Sequence, residues 1–283
     1  MTPGQRFREA LSQHRPLQIV GTLNAYVAIM AQKVGFKAIY LSGAGVANSS
    51  YGLPDLGITT LDNVLEDVRR ITEAVSLPLL VDIDTGWGSS QMIYRTIKAM
   101  IQAGAAAIHL EDQVFQKRCG HRPGKSLVSL EEMCTRIQAA NESRNDWDPS
   151  FYIIARTDAL SSEGLEGVIE RGIAYRNAGA DALFAEAFEN LDEYYTVKRA
   201  VGLPLLANMT EFGRTPLFTI KELDSAHVDM ILYPLSVNRA MNRAALKVLE
   251  EIYQTGSQKG MIDQMQTRNE LYEFLNYEEH EKI

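Results

Sequence analysis

Eight short apolar runs rich in β-formers recur along this chain, separated by longer amphipathic segments, and that alternation constrains the fold more than any other feature. The runs are LQIV from Leu17, AIYLS from Ala38, LPLLVDID from Leu77, AAIHLED from Ala106, FYIIARTD from Phe151, ALFAEA from Ala182, LPLLANMT from Leu203 and MILYPLS from Met230. Helix candidates fill the intervals, among them LDNVLEDVRRITEAV from Leu61 and SQMIYRTIKAMIQAG from Ser90, the second closed by Gly104. Such alternation builds βα units around a parallel sheet. Eight strands are the number that closes a (β/α)8 barrel of roughly 250 residues. An open doubly wound sheet would instead carry a Gly-rich phosphate turn after its first strand, and Gly43-Ala44-Gly45 lacks the third glycine at the required spacing. The expected fold class is α/β: one (β/α)8 barrel domain over residues 1–283. After the eighth run come a helix from Val237 to about Tyr253, a polar break (TGSQKG) and another helical stretch through Asn276, a tail longer than a barrel requires.

With 283 residues, 46% hydrophobic and 23% charged, the chain has ordinary globular composition and enough length for one large core. The formal net charge of -8, with Lys and Arg scattered, leaves no basic footprint for nucleic acid. The first segment, MTPGQRFREALSQHR, has no apolar core of a secretory signal, and no run approaches the roughly 18 residues of a membrane span. The two cysteines, Cys119 and Cys134, are too few for a disulfide framework. We therefore expect a cytoplasmic protein with neither nucleic acid nor membrane as partner.

Barrel enzymes place their active sites at the carboxyl ends of the strands, and here those ends collect polar groups. Ser42-Gly43-Ala44-Gly45 follows run two, Asp82 and Asp84 end run three, and Glu111-Asp112 end run four. Arg156 and Asp158, then Glu186, then Asn208 and Thr210 end runs five to seven. Read as one strand, Asp82 and Asp84 point two carboxylates to the same face, where they repel unless a cation lies between them. Oxygen donors with no His or Cys cluster nearby suit Mg2+ or Mn2+ rather than zinc. The plainer alternative is an Asp that caps the following helix; Glu111 at the next strand end favours a shared metal.

The segment KRCGHRPGK, Lys117 to Lys125, has loop composition. Lys117, Arg118, His121, Arg122 and Lys125 surround Cys119, which favours the thiolate and makes Cys119 a candidate acid/base. Cys134, within EEMCTRIQAA, reads as an ordinary buried residue. Arg156, Arg239 and Arg268 are each a possible carboxylate clamp, but surface salt bridges are the plainer alternative, and only Arg156, at a strand end, stands out unaided. His14, His109 and His227 read as structural or surface residues.

At KRCGH, joined to VDIDTGWG, LEDQ and the C-terminal QTRNELYEFLNY, the sequence resembles the isocitrate lyase and phosphoenolpyruvate mutase superfamily over nearly its whole length. SGAGVANSSYGLPDLG, ARTDAL, ANMTEFGRTPLF and YPLSVNRAMNRAA bring the resemblance closest to the branch that splits 2-methylisocitrate into pyruvate and succinate in propionate breakdown. The departures are small: SGAG stands where SGGG is common, FAEA where FPEA is common, and NMT where NIT is common.

The resemblance implies a barrel whose last helix, within about residues 237–283, is exchanged between subunits of a homotetramer, a dimer of helix-swapped dimers. It implies Mg2+ at Asp82 and Asp84, with Glu111 and Asp55 holding its waters, and a small tricarboxylate substrate. Substrate contacts carry over to Ser42, Gly43, Ala44, Cys119, Gly120, Arg156, Glu186, Asn208, Met209, Thr210, Arg239 and Arg268. Cys119 becomes the general acid that protonates the succinate carbon, and the base is Tyr40 or Asp55. Three alternatives are weighed. Isocitrate lyases carry Trp, Phe and Thr where this chain has Phe184, Leu232 and Pro234, and they have long insertions absent here. A phosphonomutase or oxaloacetate-hydrolase activity would use the same metal site, but the mutase branch has no need of the cysteine in KRCGH. A non-catalytic dicarboxylate-binding barrel would not need the full set of metal, acid and clamp residues.

Overall fold

The computed structural model describes residues 1–118, 120 and 124–282. Its strands are β1 (Leu17–Gly21), β2 (Ala38–Leu41), β3 (Leu79–Asp82), β4 (Ala107–Glu111), β5 (Tyr152–Thr157), β6 (Ala182–Ala185), β7 (Leu205–Asn208) and β8 (Met230–Tyr233). They form a closed barrel in sequence order, every neighbouring pair parallel. The ring shuts between β1 and β8 through Leu17↔Met230 and Ile19↔Leu232. All eight expected strands are present. Several stop short of the polar residues read as their ends: Asp84, Asp158, Glu186 and Thr210 lie beyond the last strand residue. Carboxylates there take backbone N–H groups that the ladder would otherwise use. Asp82 Oδ1 accepts from the Asp84 N–H at 3.0 Å, Asp112 Oδ1 from Asp158 at 2.9 Å and Glu186 Oε1 from Ala187 at 3.1 Å.

Local sequence sets the helix boundaries. Thr60 with Asn63, Asn190 with Glu193 and Thr219 with Glu222 form reciprocal capping boxes at three starts. The helix Ser90–Gln102 ends as expected at Gly104, whose φ of 87° is cheap only without a side chain. One apolar shell lies between barrel and helices, and a second fills the barrel with Leu17, Ile19, Leu80, Tyr152, Ile154 and Leu206. The N-terminal helix Pro3–Gln13 plugs the amino end by burying Phe7 against Tyr152, ring centroids 5.1 Å apart.

The tail is a helix Ser236–Thr255, a 3-10 turn Lys259–Gln264, a helix Arg268–Leu275 and a last turn Tyr277–His280. Of the first helix only Asn238 is buried, and Leu249 and Tyr253 are 65% and 92% exposed. The far end returns to the helix Ala25–Val34, where the Tyr26 hydroxyl donates to Gln266 Oε1 at 2.8 Å and Phe274 meets the Tyr26 ring edge-on. Among the described residues no helix is long and apolar enough to cross a membrane.

Candidate active site

Inward positions alternate along a strand, so Ala107, His109 and Glu111 of β4 share one face and rise from the barrel interior to its mouth. His109 stacks on Tyr40 of β2 (5.7 Å) and meets Phe184 of β6 edge-on (5.3 Å), forming an aromatic deck across the barrel. Tyr40 OH lies 3.0 Å from His109 Nε2 and donates to Asp82 Oδ2 at 3.4 Å. Burial pushes the imidazole down to about 4, so it is neutral near pH 7, and burial with the Asp82 charge pushes the Tyr40 phenol well up.

Above the deck lies a carboxylate cluster. Asp82, the last residue of β3, accepts from the Gly43 N–H at 3.1 Å as well as from Asp84 N–H. Asp84 is not on the strand: its backbone turns at φ 48°, and this turn, rather than period-two alternation, aims it at the same place. A Cβ on Gly43 would lie 3.1 Å from Asp82 Oδ2 and 3.2 Å from Asp84 Oδ1, so the bare glycine leaves a cradle between the acids. Lys117 closes it from the loop, pairing with Asp55 Oδ1 at 2.8 Å and with Asp84 Oδ1. Burial, together with Asp82 and Asp55, raises Asp84 to about 6 despite Lys117. Burial works against the Asp82 carboxylate too, but His109, Lys117, Arg156 and the Asp84 N–H outweigh it and hold Asp82 at about 2. Glu111 is pushed well up by burial.

Across the mouth, buried Arg156 lies 3.3 Å from Glu111 Oε2, 3.0 Å from Asp158 Oδ2 and 3.2 Å from Glu186 Oε2, and its guanidinium sits 5.0 Å above the Phe184 ring. Asn208 donates to both Glu186 oxygens at 3.3 Å. Among the described residues, Asp55, Asp82, Asp84, Glu111, Asp158 and Glu186 gather around Lys117, Lys125 and Arg156. Among the described residues no hydrogen bond reaches the buried Glu111 Oε1 or Asn208 Oδ1. Such atoms cost stability unless a ligand meets them. Among the described residues no three His, Cys, Asp or Glu side chains converge as a metal cage. Asp82 and Asp84, two hard oxygen donors brought together beside Gly43, have the chemistry to fit Mg2+ rather than a soft metal.

The phosphoenolpyruvate phosphomutase family model matches residues 7–253. The chain is 60% identical to a 2-methylisocitrate lyase of Escherichia coli (strain K12) over 282 residues, 99% of this chain and 95% of that one. The chain belongs to the 2-methylisocitrate lyase family. Among solved structures, a 2,3-dimethylmalate lyase of the PEP mutase/isocitrate lyase superfamily superposes with a TM-score of 0.92 at 34% identity, covering 100% of this chain and 94% of that one. A phosphonopyruvate hydrolase solved as a complex with oxalate and Mg++ gives a TM-score of 0.86 at 30% identity, covering 100% and 98%.

Of the residues the family resemblance selected, the fold brings Ser42, Gly43, Asp82, Asp84, Arg156, Glu186 and Asn208 to one mouth. Ser42 accepts from the Gly45 N–H at 3.2 Å and holds the turn that aims the Gly43 N–H at Asp82. Ala44 is half-buried beside Gly43, and Met209 and Thr210 are buried just past β7. Gly120 is buried against Arg156 and Glu186. Cys119 lies outside the described residues. Arg239, exposed on the first tail helix, pairs with Glu211 at 3.4 Å. Arg268 is exposed at the start of its helix, and among the described residues no hydrogen bond or ion pair joins it to the mouth. Cys134 is half-buried, and burial raises its thiol, in keeping with an ordinary residue. Sequence reasoning passed over Lys117 as a counter-ion and took His109 for an ordinary residue, although the two-residue step from His109 to Glu111 places both on the inward face.

Proposed function

We propose that this chain cleaves 2-methylisocitrate to pyruvate and succinate by a Mg2+-dependent retro-aldol step in the methylcitrate cycle of propionate catabolism. The observation that supports the proposal is one mouth holding a buried acid pair, Asp82 and Asp84, opposite buried Arg156. A cation on one wall and a guanidinium on the other match the two carboxylate-bearing halves of a tricarboxylate. Asp82 and Asp84 would hold Mg2+, with Asp55 and Glu111 holding its waters; Mn2+ would substitute. When bound, the ion supplies Lewis acidity that lowers the pKa of the substrate hydroxyl.

Ser42, Gly43, Ala44, Gly120, Glu186, Asn208, Met209, Thr210, Arg239 and Arg268 complete the substrate contacts. The hydroxyl proton passes to Tyr40 or Asp55; the raised Tyr40 phenol keeps its own proton in the resting site, which favours Asp55. The carbon–carbon bond then breaks and its electron pair moves onto the succinate half, where Arg156 and Asn208 spread the developing charge. Cys119 gives its proton to that carbon as general acid. Phe184 and Leu232, each 1% exposed, form part of the deck under this site, and discrimination of one methyl group in such a pocket is worth roughly 1–3 kcal/mol.

The whole chain acts as one lyase domain in the cytoplasm. Its exposed apolar tail supports exchange of residues 237–283 between subunits of a homotetramer, in helix-swapped dimers. A coupled pyruvate assay offering 2-methylisocitrate, isocitrate and oxaloacetate side by side tests the reading. We expect 2-methylisocitrate to give the highest kcat/KM; faster turnover of either rival would overturn the assignment.

A further inference from the structure

We propose that Gln113 and Lys125 are positioning residues that clamp the peptide on either side of Cys119, at Arg118 and Gly120. The proposal rests on the reading of Cys119 as proton donor. The Gln113 carboxamide donates to the Arg118 carbonyl at 2.9 Å and accepts the Arg118 N–H at 3.0 Å, so one side chain satisfies both polar groups of one loop residue. Gln113 is itself rigidly placed. It is 1% exposed, its carbonyl accepts from Arg136 at 3.0 Å, and its backbone forms an antiparallel bridge with Leu127. Flanking bonds Val114 N–H to Ser126 O and Val128 N–H to Asp112 O, both 2.9 Å, make this pairing a neck from which the loop springs. On the far side the Lys125 ammonium, its side chain 5% exposed, donates to the Gly120 carbonyl at 2.6 Å and to Asp158 Oδ1 at 2.8 Å. Asp158 in turn binds Arg156. Gly120 has no room for a side chain, since a Cβ would fall 2.6 Å from Glu186 Cγ.

A loop residue needs such bracing when it must present one atom to a carbon with sub-ångström tolerance, and misplacement of that order costs up to about 100-fold in rate. A buried amide with both groups paired to one peptide is otherwise an expensive way to hold a polar surface loop. The clamps fix the described peptides at Arg118 and Gly120, which flank Cys119 in the sequence.

The test uses the full-length enzyme with Mg2+ and compares Q113A, Q113E, K125M and C119S, each checked for folding by circular dichroism. Turnover is read together with hydrogen exchange of segment 114–127 and the rate of Cys119 alkylation by iodoacetamide, with Cys134 as internal reference. We expect Q113A to lower kcat roughly 10- to 100-fold with KM within about twofold, to speed exchange at Arg118 and to change Cys119 alkylation while leaving Cys134 alone. Q113E keeps the acceptor but loses the donor, so it should fall between wild type and Q113A; K125M should act like Q113A at Gly120. A folded Q113A with wild-type kcat and exchange would overturn the clamp. Undiminished turnover by C119S would instead overturn the proton-donor reading, whatever Q113A does to exchange.

Discussion

The two ends of the barrel use the same residue types for opposite purposes. At the amino end Asp181 receives Arg8 at 3.0 Å, Arg144 and the Ile153 N–H at 2.9 Å, while Asp229 receives Lys198 and the Leu205 N–H at 2.8 Å. Each acid there braces the start of a strand, and its side chain keeps 17% or 14% exposure. At the mouth Asp82, Asp84, Glu111, Asp158 and Glu186 are buried, and among the described residues no hydrogen bond reaches Glu111 Oε1. A matched carboxylate stabilises the fold, whereas an unmatched one raises the free energy of the empty site and lowers it again when a ligand arrives. The division follows the barrel rule that chemistry sits at the carboxyl ends and stability at the other.

The sharpest break of this contrast is Asp84→Ala against Asp181→Ala. Removing Asp84 deletes a proposed cation ligand, and we expect activity to fall by roughly 10³-fold or more. Excess chelator should do the same to the wild type, reversibly on adding Mg2+ or Mn2+. Melting of the metal-free protein should fall only modestly, because Lys117 keeps its pairing with Asp55. Full activity of the variant after chelation would remove the metal from the mechanism.

The tail extends the comparison beyond the barrel. Arg268 lies on a helix that meets its own barrel through Tyr26 and Lys33 of one helix, while the preceding helix exposes Leu249, Ile252 and Tyr253. Truncation after Thr255 should leave a folded barrel that is inactive and has lost its native oligomer. Arg268→Ala should keep the oligomer and lose mainly substrate affinity, since one clamp is removed and the apolar surface is not. Sedimentation and kinetics decide between them, and a truncated chain that stays assembled and active would deny the tail both roles.

Asp181→Ala is the counterpart at the amino end. It removes one partner each from Arg8 and Arg144 and takes the acceptor of the Ile153 N–H, and should cost about 2–3 kcal/mol in denaturant unfolding. Substrate turnover at a temperature where the variant is folded should match the wild type. A loss of kcat there would show that the two ends are coupled.

What the sequence made legible follows from period and composition. Apolar runs located the strands, amphipathic intervals and the stop at Gly104 located helices, and polar strand ends located the mouth, because each is a local signal. What stayed hidden is non-local. Nothing in VDIDTGWG marks residue 84 as a turn at positive φ; that follows from Asp82 capturing the next amide but one. Lys117 was visible only as one charge in a basic loop, and its pairing with Asp55 and Asp84 needs the loop folded onto two other elements. Gln113 was legible as part of LEDQ, but its grip on Arg118 spans an irregular segment without a repeat to betray it.

The smallest effect expected is a pH dependence confined to the mouth. In the metal-free protein Asp84 is raised to about 6 by burial and by Asp82 and Asp55, whereas Asp82 is held at about 2. A cation needs both as carboxylates, so proton and cation compete for Asp84 while Asp82 stays ionised throughout. As pH falls through 6, Asp84 takes up a proton that binding must expel, and apparent affinity should drop by up to about tenfold per unit. Above pH 7 this competition disappears. Glu111, also pushed up by burial, adds in the same direction through the waters it would hold. Titrating Mn2+ into the metal-free protein by electron paramagnetic resonance between pH 5 and 8 should therefore give weaker binding on the acid side, and Asp84→Asn should flatten the slope along with weakening the site. A wild-type affinity that is level from pH 5 to 7 would mean that Asp84 does not meet the ion.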